Sequence, residues 1–240
     1  MRFRLCALFL SALAAVFLGL AGCSSIPKER QTFVSLTELD PTIMLDMRYA
    51  GPDNFVGTPI DGYEAPICLL TRPTATRLVR INRILRSRGL ALIVYDCYRP
   101  QRAVYHFVRW AADRSDRKTK TAYYPNVRKS ELFKQGYIAE RSSHSRGSTV
   151  DVGLVRSYQN SGFTEWQPVD MGTTFDYFDR RSHTDSPFVT TVQRLNRLRL
   201  LEVMQENGFR NFPKEWWHFT LKNEPYPDTY FDFVVESLEE

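Results

Sequence analysis

Two short stretches of this chain carry residues whose types and spacing suit metal chemistry. The first is Ser142-Ser143-His144-Ser145-Arg146-Gly147-Ser148-Thr149-Val150-Asp151, and the second is Glu215-Trp216-Trp217-His218. Together they supply two imidazoles and a carboxylate, His144, Asp151 and His218, that can hold a metal ion. Three protein ligands with an open fourth position describe a catalytic zinc, because the open position admits the reacting water. A structural zinc is normally closed by four ligands, with cysteines among them, and neither stretch contains a cysteine. Glu215 is then the telling residue. It stands three residues before His218, where it can take a proton from a water that the metal has acidified. Taken singly, each residue has a plainer reading: a lone His as a surface or core residue, Asp151 as a turn or ion-pair residue, the tryptophans as core. The combination in this order is what points to a site.

The elements around these residues must bring them together. Residues seven apart on one straight strand face opposite sides, so His144 is expected in a Ser/Gly-rich turn ahead of the strand carrying Asp151. Gly147 is the expected bend. Glu215 and His218 would also face opposite ways on a straight strand, so a bend or a helical turn is required between them.

Elsewhere the pattern predicts a half-buried strand over 42–49, from the alternation of Ile43, Leu45 and Met47 with Met44, Asp46 and Arg48. A long Gly/Pro/Asp/Asn loop over 51–63 follows. A helix over 71–89 carries Leu78, Ile81, Ile84 and Leu85, with Gly89 at its C-terminus. Strands are expected over 90–98, 149–155 and 216–221. Helices are expected over 101–112 and 189–207, the latter burying Val192, Leu195, Leu198 and Val203. Helices and strands mix without regular alternation. The expected class is therefore α+β: one domain with a mainly antiparallel central sheet flanked by helices, the zinc site on the sheet.

The amino terminus has a different character. Met1-Arg2-Phe3-Arg4 is basic, residues 5–21 are apolar and uncharged, and the run ends Leu20-Ala21-Gly22-Cys23. This is the layout of a secretory signal. It resembles the bacterial lipobox, in which the cysteine is acylated and becomes the first mature residue. The expected organisation is a lipoprotein signal over 1–22, a polar tether over 23–32, and one domain over 33–240. Lipidation at Cys23 would anchor an exported protein on the periplasmic side of a membrane. Ser24 beside it resembles the signal for an outer membrane.

Charge sets further limits. Thirty-two Lys and Arg stand against 27 Asp and Glu, and they are spread in mixed company. No basic stripe of the kind that binds nucleic acid is present, so no nucleic-acid partner is expected. The cluster over 109–120 is interrupted by Asp113 and Asp116 and reads as a solvated helix end and loop. Of the four cysteines, Cys6 and Cys23 belong to the signal and lipidation site, which leaves Cys68 and Cys97. In an exported domain these two can form a disulfide, or stand as separate buried thiols.

The chain resembles a known family. The order His-x6-Asp followed by Glu-x2-His is similar to the zinc peptidases that cleave peptides of D-amino acids, and most similar to the D-alanyl-D-alanine dipeptidases of the vancomycin-resistance type. The resemblance runs through Arg48-Tyr49-Ala50, Asp53 to Gly57, Asp96-Cys97-Tyr98-Arg99-Pro100, Tyr123 to Asn126, Met171 to Asp176, Glu224 to Pro227 and Tyr230 to Phe233, and covers essentially all of 35–235. It implies His144, Asp151 and His218 as zinc ligands and Glu215 as catalytic base. It implies Arg99 as the cation facing the scissile carbonyl, and Tyr49, Ser142 and Asp176 as the residues that bind the free amine of a small dipeptide substrate. Outside the family context, Arg99 would read as an ion-pair partner of Asp96, Asp176 as a loop carboxylate and Tyr49 as a core aromatic. Cys97 stands where a small residue such as Gly is familiar. The implied activity is hydrolysis of D-Ala-D-Ala in wall-peptide turnover or salvage. The alternatives are a D,D-carboxypeptidase acting on longer wall peptides and a non-catalytic lipoprotein that binds wall fragments.

Overall fold

The computed structural model describes residues 30–237. The expected signal over 1–22 and the lipidation at Cys23 lie outside these residues. Of the expected tether, Arg30–Thr32 is a 3-10 turn already packed on the domain. Arg30 is buried, and its guanidinium pairs with Glu236 and donates to the carbonyls of Glu236 and Ser237.

The chain then runs β1 (Phe33–Ser35), α1 (Leu36–Leu39), β2 (Met44–Leu45), β3 (Leu69–Thr71), α2 (Arg72–Arg86), β4 (Leu90–Asp96), α3 (Gln101–Ala112) and α4 (Lys120–Tyr123). It continues through β5 (Thr149–Asn160), β6 (Phe163–Pro168), α5 (Thr191–Glu206), β7 (Phe209–Asn211) and β8 (His218–Leu221). The main sheet has the order β2-β4-β5-β8-β7, with β6 paired to the far part of β5. Only β2 and β4 run parallel; the other pairs are antiparallel. β1 and β3 form a separate antiparallel pair. This is the α+β architecture with a mostly antiparallel sheet and flanking helices.

α2 places Thr74, Ala75, Leu78, Ile81, Asn82 and Leu85 on one buried face, the spacing of an amphipathic helix. Asn82 is the polar member of that face, and its amide bridges three elements. Its Nδ2 donates to Asp40 and Thr42, and its Oδ1 accepts from the Leu92 N–H at 3.1 Å, which fixes the helix to β4. Gly89 closes the helix region at φ +69°, the left-handed conformation that suits Gly after a helix end. α3 buries Phe107 and Trp110 against Phe55, and Phe55 packs on Phe178, so an aromatic layer lies beneath the site.

Three expectations need correction. The strand over 42–49 shrinks to two residues. Arg48 pairs with Asp46 and Asp53 and curls the chain into a 3-10 turn over Arg48–Ala50, which buries Tyr49. The strand at 149–155 extends to Asn160 and folds back as β6 through a tight turn with Ser161 at φ +48° and Gly162 at φ +89°. Such paired positive φ values suit the right-handed twist of a hairpin. Finally, α5 presents a different face from the one expected. Val192, Leu195 and Leu198 are exposed, and Asn196, Arg197, Leu200, Val203 and Met204 are buried. Arg197 is the cause. Its guanidinium donates to the carbonyls of Met171, Arg181 and His183 at 2.6–2.9 Å, so this half of the helix packs on a loop that needs donors rather than on apolar side chains.

Candidate metal centre

The site is built across three neighbouring strands. Asp96 on β4 is in register with Asp151 on β5, and Asp151 is in register with His218 on β8. The sheet therefore sets two of the candidate ligands side by side before any side chain is considered. The third, His144, comes from a 3-10 turn over Ser143–Arg146 that precedes β5. Ser142 caps this turn by accepting the His144 N–H, and Gly147 ends it at φ +75°. A Cβ at Gly147 would collide with the Phe33 ring, so both the backbone angle and the space demand Gly there. The bend expected at Gly147 is thus present. Between Glu215 and His218 the expected bend is a turn, closed by His218 N–H to the Glu215 carbonyl at 3.3 Å.

The geometry of the cluster is that of a cation site. His144 Nδ1 lies 2.7 Å from the Cys97 carbonyl, which can only accept. Nδ1 is therefore a donor to that carbonyl, and Nε2 is the ring atom that faces the cluster. That Nε2 lies 3.3 Å from His218 Nδ1 and 3.3 Å from Asp151 Oδ1, and His218 Nδ1 lies 3.1 Å from the same Oδ1. Ligand atoms held tetrahedrally at about 2.0–2.2 Å from a zinc would be roughly 3.3–3.5 Å apart. Asp151 Oδ1 is buried with no hydrogen-bond donor, and a buried carboxylate oxygen without a donor calls for a cation. Burial alone would push Asp151 up, but the facing imidazoles of His144 and His218 hold it well below the usual carboxylate range, so it is an anion. Burial holds His218 below the usual imidazole range, which keeps it neutral and able to coordinate. Among the described residues, His144, Asp151 and His218 form the group placed to hold a metal. His106 lies elsewhere, paired with Asp61.

Around the cluster lies a cavity of about 220 Å³, lined by Tyr49, Arg99, Ser142, Asp151, Asp176, Glu215 and His218, with Phe55, Phe107, Tyr137, Ile138 and Phe212 as apolar walls. It is smaller than the ~300–1,000 Å³ of pockets that take drug-sized ligands. Glu215 is buried, with Oε2 3.5 Å from His218 Nδ1. Burial raises its carboxyl well above the ordinary range, and the charges of Asp151 and Asp176 add to the effect. Arg99 makes the ion pair with Asp96 foreseen as its plainer reading, at 2.8 Å, and also faces the cavity 3.6 Å from Asp151. Its guanidinium rests over the rings of Tyr49 and Phe107 at 5.0 and 5.2 Å. Tyr49 donates its hydroxyl to Asp176 at 2.8 Å, and both are buried. Burial first, and Asp151 second, raises the Asp176 carboxyl. Asp176 sits at φ +58°, a costly angle for a residue other than Gly and one that clusters at functional sites.

The structure thus brings all eight candidate residues to one place. It adds partners that sequence reasoning missed. Tyr63 donates to Asp96 at 2.6 Å and so holds the carboxylate behind Arg99. Asn211 donates its amide to the carbonyls of both Glu215 and His218 at 3.0 Å, clamping the two ends of the turn. Neither lies in a chemical motif. The only signal for Asn211 was its place four residues before Glu215. Cys68 and Cys97 are joined in a disulfide, with their Cα atoms 5.3 Å apart, which resolves the choice left open by the sequence.

One known family and several known proteins are similar to this chain. The family model described as D-ala-D-ala dipeptidase, peptidase family M15, matches residues 29–236. The D-alanyl-D-alanine dipeptidase of Enterococcus faecium is 40% identical over 204 residues, covering 85% of this chain and 98% of the relative. That of Streptomyces coelicolor is 41% identical over 203 residues, with the same coverage. That of Escherichia coli is 32% identical over 191 residues, covering 78% of this chain and 83% of the relative.

Proposed function

Because the chain belongs to the D-ala-D-ala dipeptidase family, we propose that it hydrolyses D-Ala-D-Ala to two molecules of D-Ala, with a zinc held by His144, Asp151 and His218. The observation that carries this reading is the pairing, in one small cavity, of Glu215 beside the ligand triangle with Asp176 and Tyr49 closing another wall. A bound zinc supplies Lewis acidity toward the peptide carbonyl and lowers the pKa of water from about 15.7 toward about 7.

The chain's own residues do the rest. Glu215 takes a proton from the attacking water and passes one to the leaving amine as the C–N bond breaks. Its raised proton affinity suits both halves of that task, since a catalytic acid–base group works best with a pKa near the working pH. Arg99 is held by Asp96 and the two aromatic rings, so its charge is fixed in place before the carbonyl oxygen becomes negative. Such preorganised donors lower the barrier because they need no rearrangement during reaction. Asp176, Tyr49 and Ser142 receive the substrate ammonium, and the ammonium favours the ionised form of Asp176.

This arrangement predicts a test of specificity. N-acetyl-D-Ala-D-Ala loses the ammonium and adds bulk at the closed wall. Leaving a buried carboxylate without its partner costs about 3–5 kcal/mol, or roughly two to four orders of magnitude in kcat/KM. The expected result is a loss of that size for the acetylated dipeptide and for a tripeptide ending in D-Ala-D-Ala. Asp176→Ala is expected to lose a similar factor on the free dipeptide. Equal cleavage of free and acetylated dipeptide would overturn the dipeptidase reading in favour of a D,D-carboxypeptidase. No cleavage of either by the zinc-loaded protein would favour a wall-fragment-binding lipoprotein.

From the amino-terminal pattern we further propose that the protein is exported, acylated at Cys23 and held on the periplasmic side of a membrane. There it would meet dipeptide released from wall peptides, which favours turnover or salvage. Two observations support this. The family match begins at residue 29, so the signal-like segment is additional to it. The Cys68–Cys97 disulfide is a bond that persists in oxidising compartments. Cys23→Ala is expected to shift the protein from the membrane to the soluble fraction, and an unchanged membrane fraction would sink the lipid-anchor reading.

A further inference from the structure

We propose that the Cys68–Cys97 disulfide is a positioning element of the metal site: it holds the Cys97 carbonyl against His144, so that losing the bond loosens the metal. The inference rests on the reading that His144, Asp151 and His218 hold a metal, and goes beyond it by assigning a task to two residues outside the ligand set.

The argument starts from where the bond sits. Cys97 directly follows β4, and Cys68 directly precedes β3, a strand of the smaller sheet. Both are fully buried. Three of the four residues 96–99 serve the site. Asp96 holds Arg99 and lies 3.3 Å from His144 Nδ1, the Cys97 carbonyl takes that Nδ1 proton at 2.7 Å, and Arg99 faces the cavity. Yet the regular β4–β5 ladder is interrupted between Val94 and Asp96, just before this segment. The main sheet therefore constrains residues 97–99 less than it constrains β4.

The 68–71 segment supplies that constraint, and it grips the metal loop from both sides. Toward residue 97 it uses the disulfide and the Leu69 carbonyl, which accepts the Tyr98 N–H at 3.0 Å. Toward the His144 turn it uses the Thr71 N–H, given to the Gly147 carbonyl at 2.8 Å, and the Thr71 hydroxyl, 2.7 Å from that of Ser148. The imidazole and the carbonyl that orients it are thus tied to one short strand, and the covalent tie is on the carbonyl side. Partners that orient a metal-bound imidazole typically cost 10–100-fold in metal affinity when removed.

A disulfide also restricts the unfolded chain, so a drop in stability alone would say nothing about the site. The test must read the metal. In the full chain carrying Cys68→Ala with Cys97→Ala, the zinc dissociation constant, measured by competition with a chromophoric chelator, is expected to rise by about 10–100-fold. A lower unfolding midpoint of the zinc-free protein with an unchanged zinc dissociation constant would overturn the proposal, because that is the signature of a bond that only stabilises the fold. If the double variant does not fold, the unaltered protein is reduced with a water-soluble phosphine. The phosphine gives up two electrons and becomes its oxide, water supplies the oxygen and two protons, and two thiols form. Zinc release in step with thiol labelling supports the proposal, and zinc retained after both thiols are labelled overturns it. Failure of the oxidised protein to bind zinc would instead overturn the metal reading on which both rest.

Discussion

Glu215→Gln is expected to lower kcat for D-Ala-D-Ala by two to four orders of magnitude while zinc stays bound. The substitution keeps the side chain's size and its place in the turn closed by the Glu215 carbonyl and clamped by Asn211. It removes only the capacity to accept and return a proton, and positioned proton transfer is typically worth about 10²–10⁴-fold. Glu215 is not one of the three atoms in the ligand triangle, although its Oε2 lies 3.5 Å from His218 Nδ1. Zinc content by elemental analysis should therefore match the unaltered protein. Near-normal turnover would show that another group carries the proton. Lost zinc would show that Glu215 is a ligand.

The reasoning behind that prediction shows what was legible in the sequence. Ligands on a sheet are readable because side chains alternate and because a turn residue such as Gly147 marks where alternation breaks. The helix over 71–89 and the helix over 101–112 were readable for the same kind of reason: a buried apolar face at helical spacing with clear ends. Where burial is driven by polar groups, periodicity misleads. Val192, Leu195 and Leu198 fit a helical stripe, yet Arg197 faces inward because three loop carbonyls need a donor. The hairpin beyond residue 155 is hard to read from sequence because its outer part is largely exposed and so shows no apolar alternation, although Asn160-Ser161-Gly162 is a usable turn signal. Asn211 and Tyr63 act on the site through a backbone carbonyl and a carboxylate. Contacts of that kind depend on three-dimensional approach and leave no spacing rule to read.

The register of the sheet explains why these distant motifs converge. Asp96, Asp151 and His218 form one row across β4, β5 and β8, so the strand pairing that buries Val94, Val150, Val152 and Phe219 also sets the spacing of the site. Arg99 and Glu215 then stand just outside the ends of two of these strands, where the backbone turns and side chains can point into a cavity. Packing and chemistry are coupled here: a slip of one residue in β8 would turn His218 to the opposite face.

His218→Ala is expected to remove the metal and with it the activity. His218 supplies one of three converging atoms, its Nδ1 lying 3.1 Å from Asp151 Oδ1 and 3.3 Å from His144 Nε2. Its loss should weaken zinc binding by well over the ~10–100-fold that removing an orienting partner costs, because a ligand bond is lost outright. Ser143 provides the internal comparison. Its hydroxyl lies 3.2 Å from His218 Nε2, so Ser143→Ala removes a partner of the ring and not a ligand, and its zinc affinity should fall between the two. His106→Ala is expected to leave zinc content unchanged, since His106 pairs with Asp61 away from the cluster. Added zinc should raise the unfolding temperature of the unaltered protein and of the Ser143→Ala and His106→Ala variants, because a ligand that binds only the native state stabilises it. It should leave the His218→Ala variant unmoved. Full zinc retention in His218→Ala would sink the ligand assignment, and with it the reason for placing Glu215 at the reacting water.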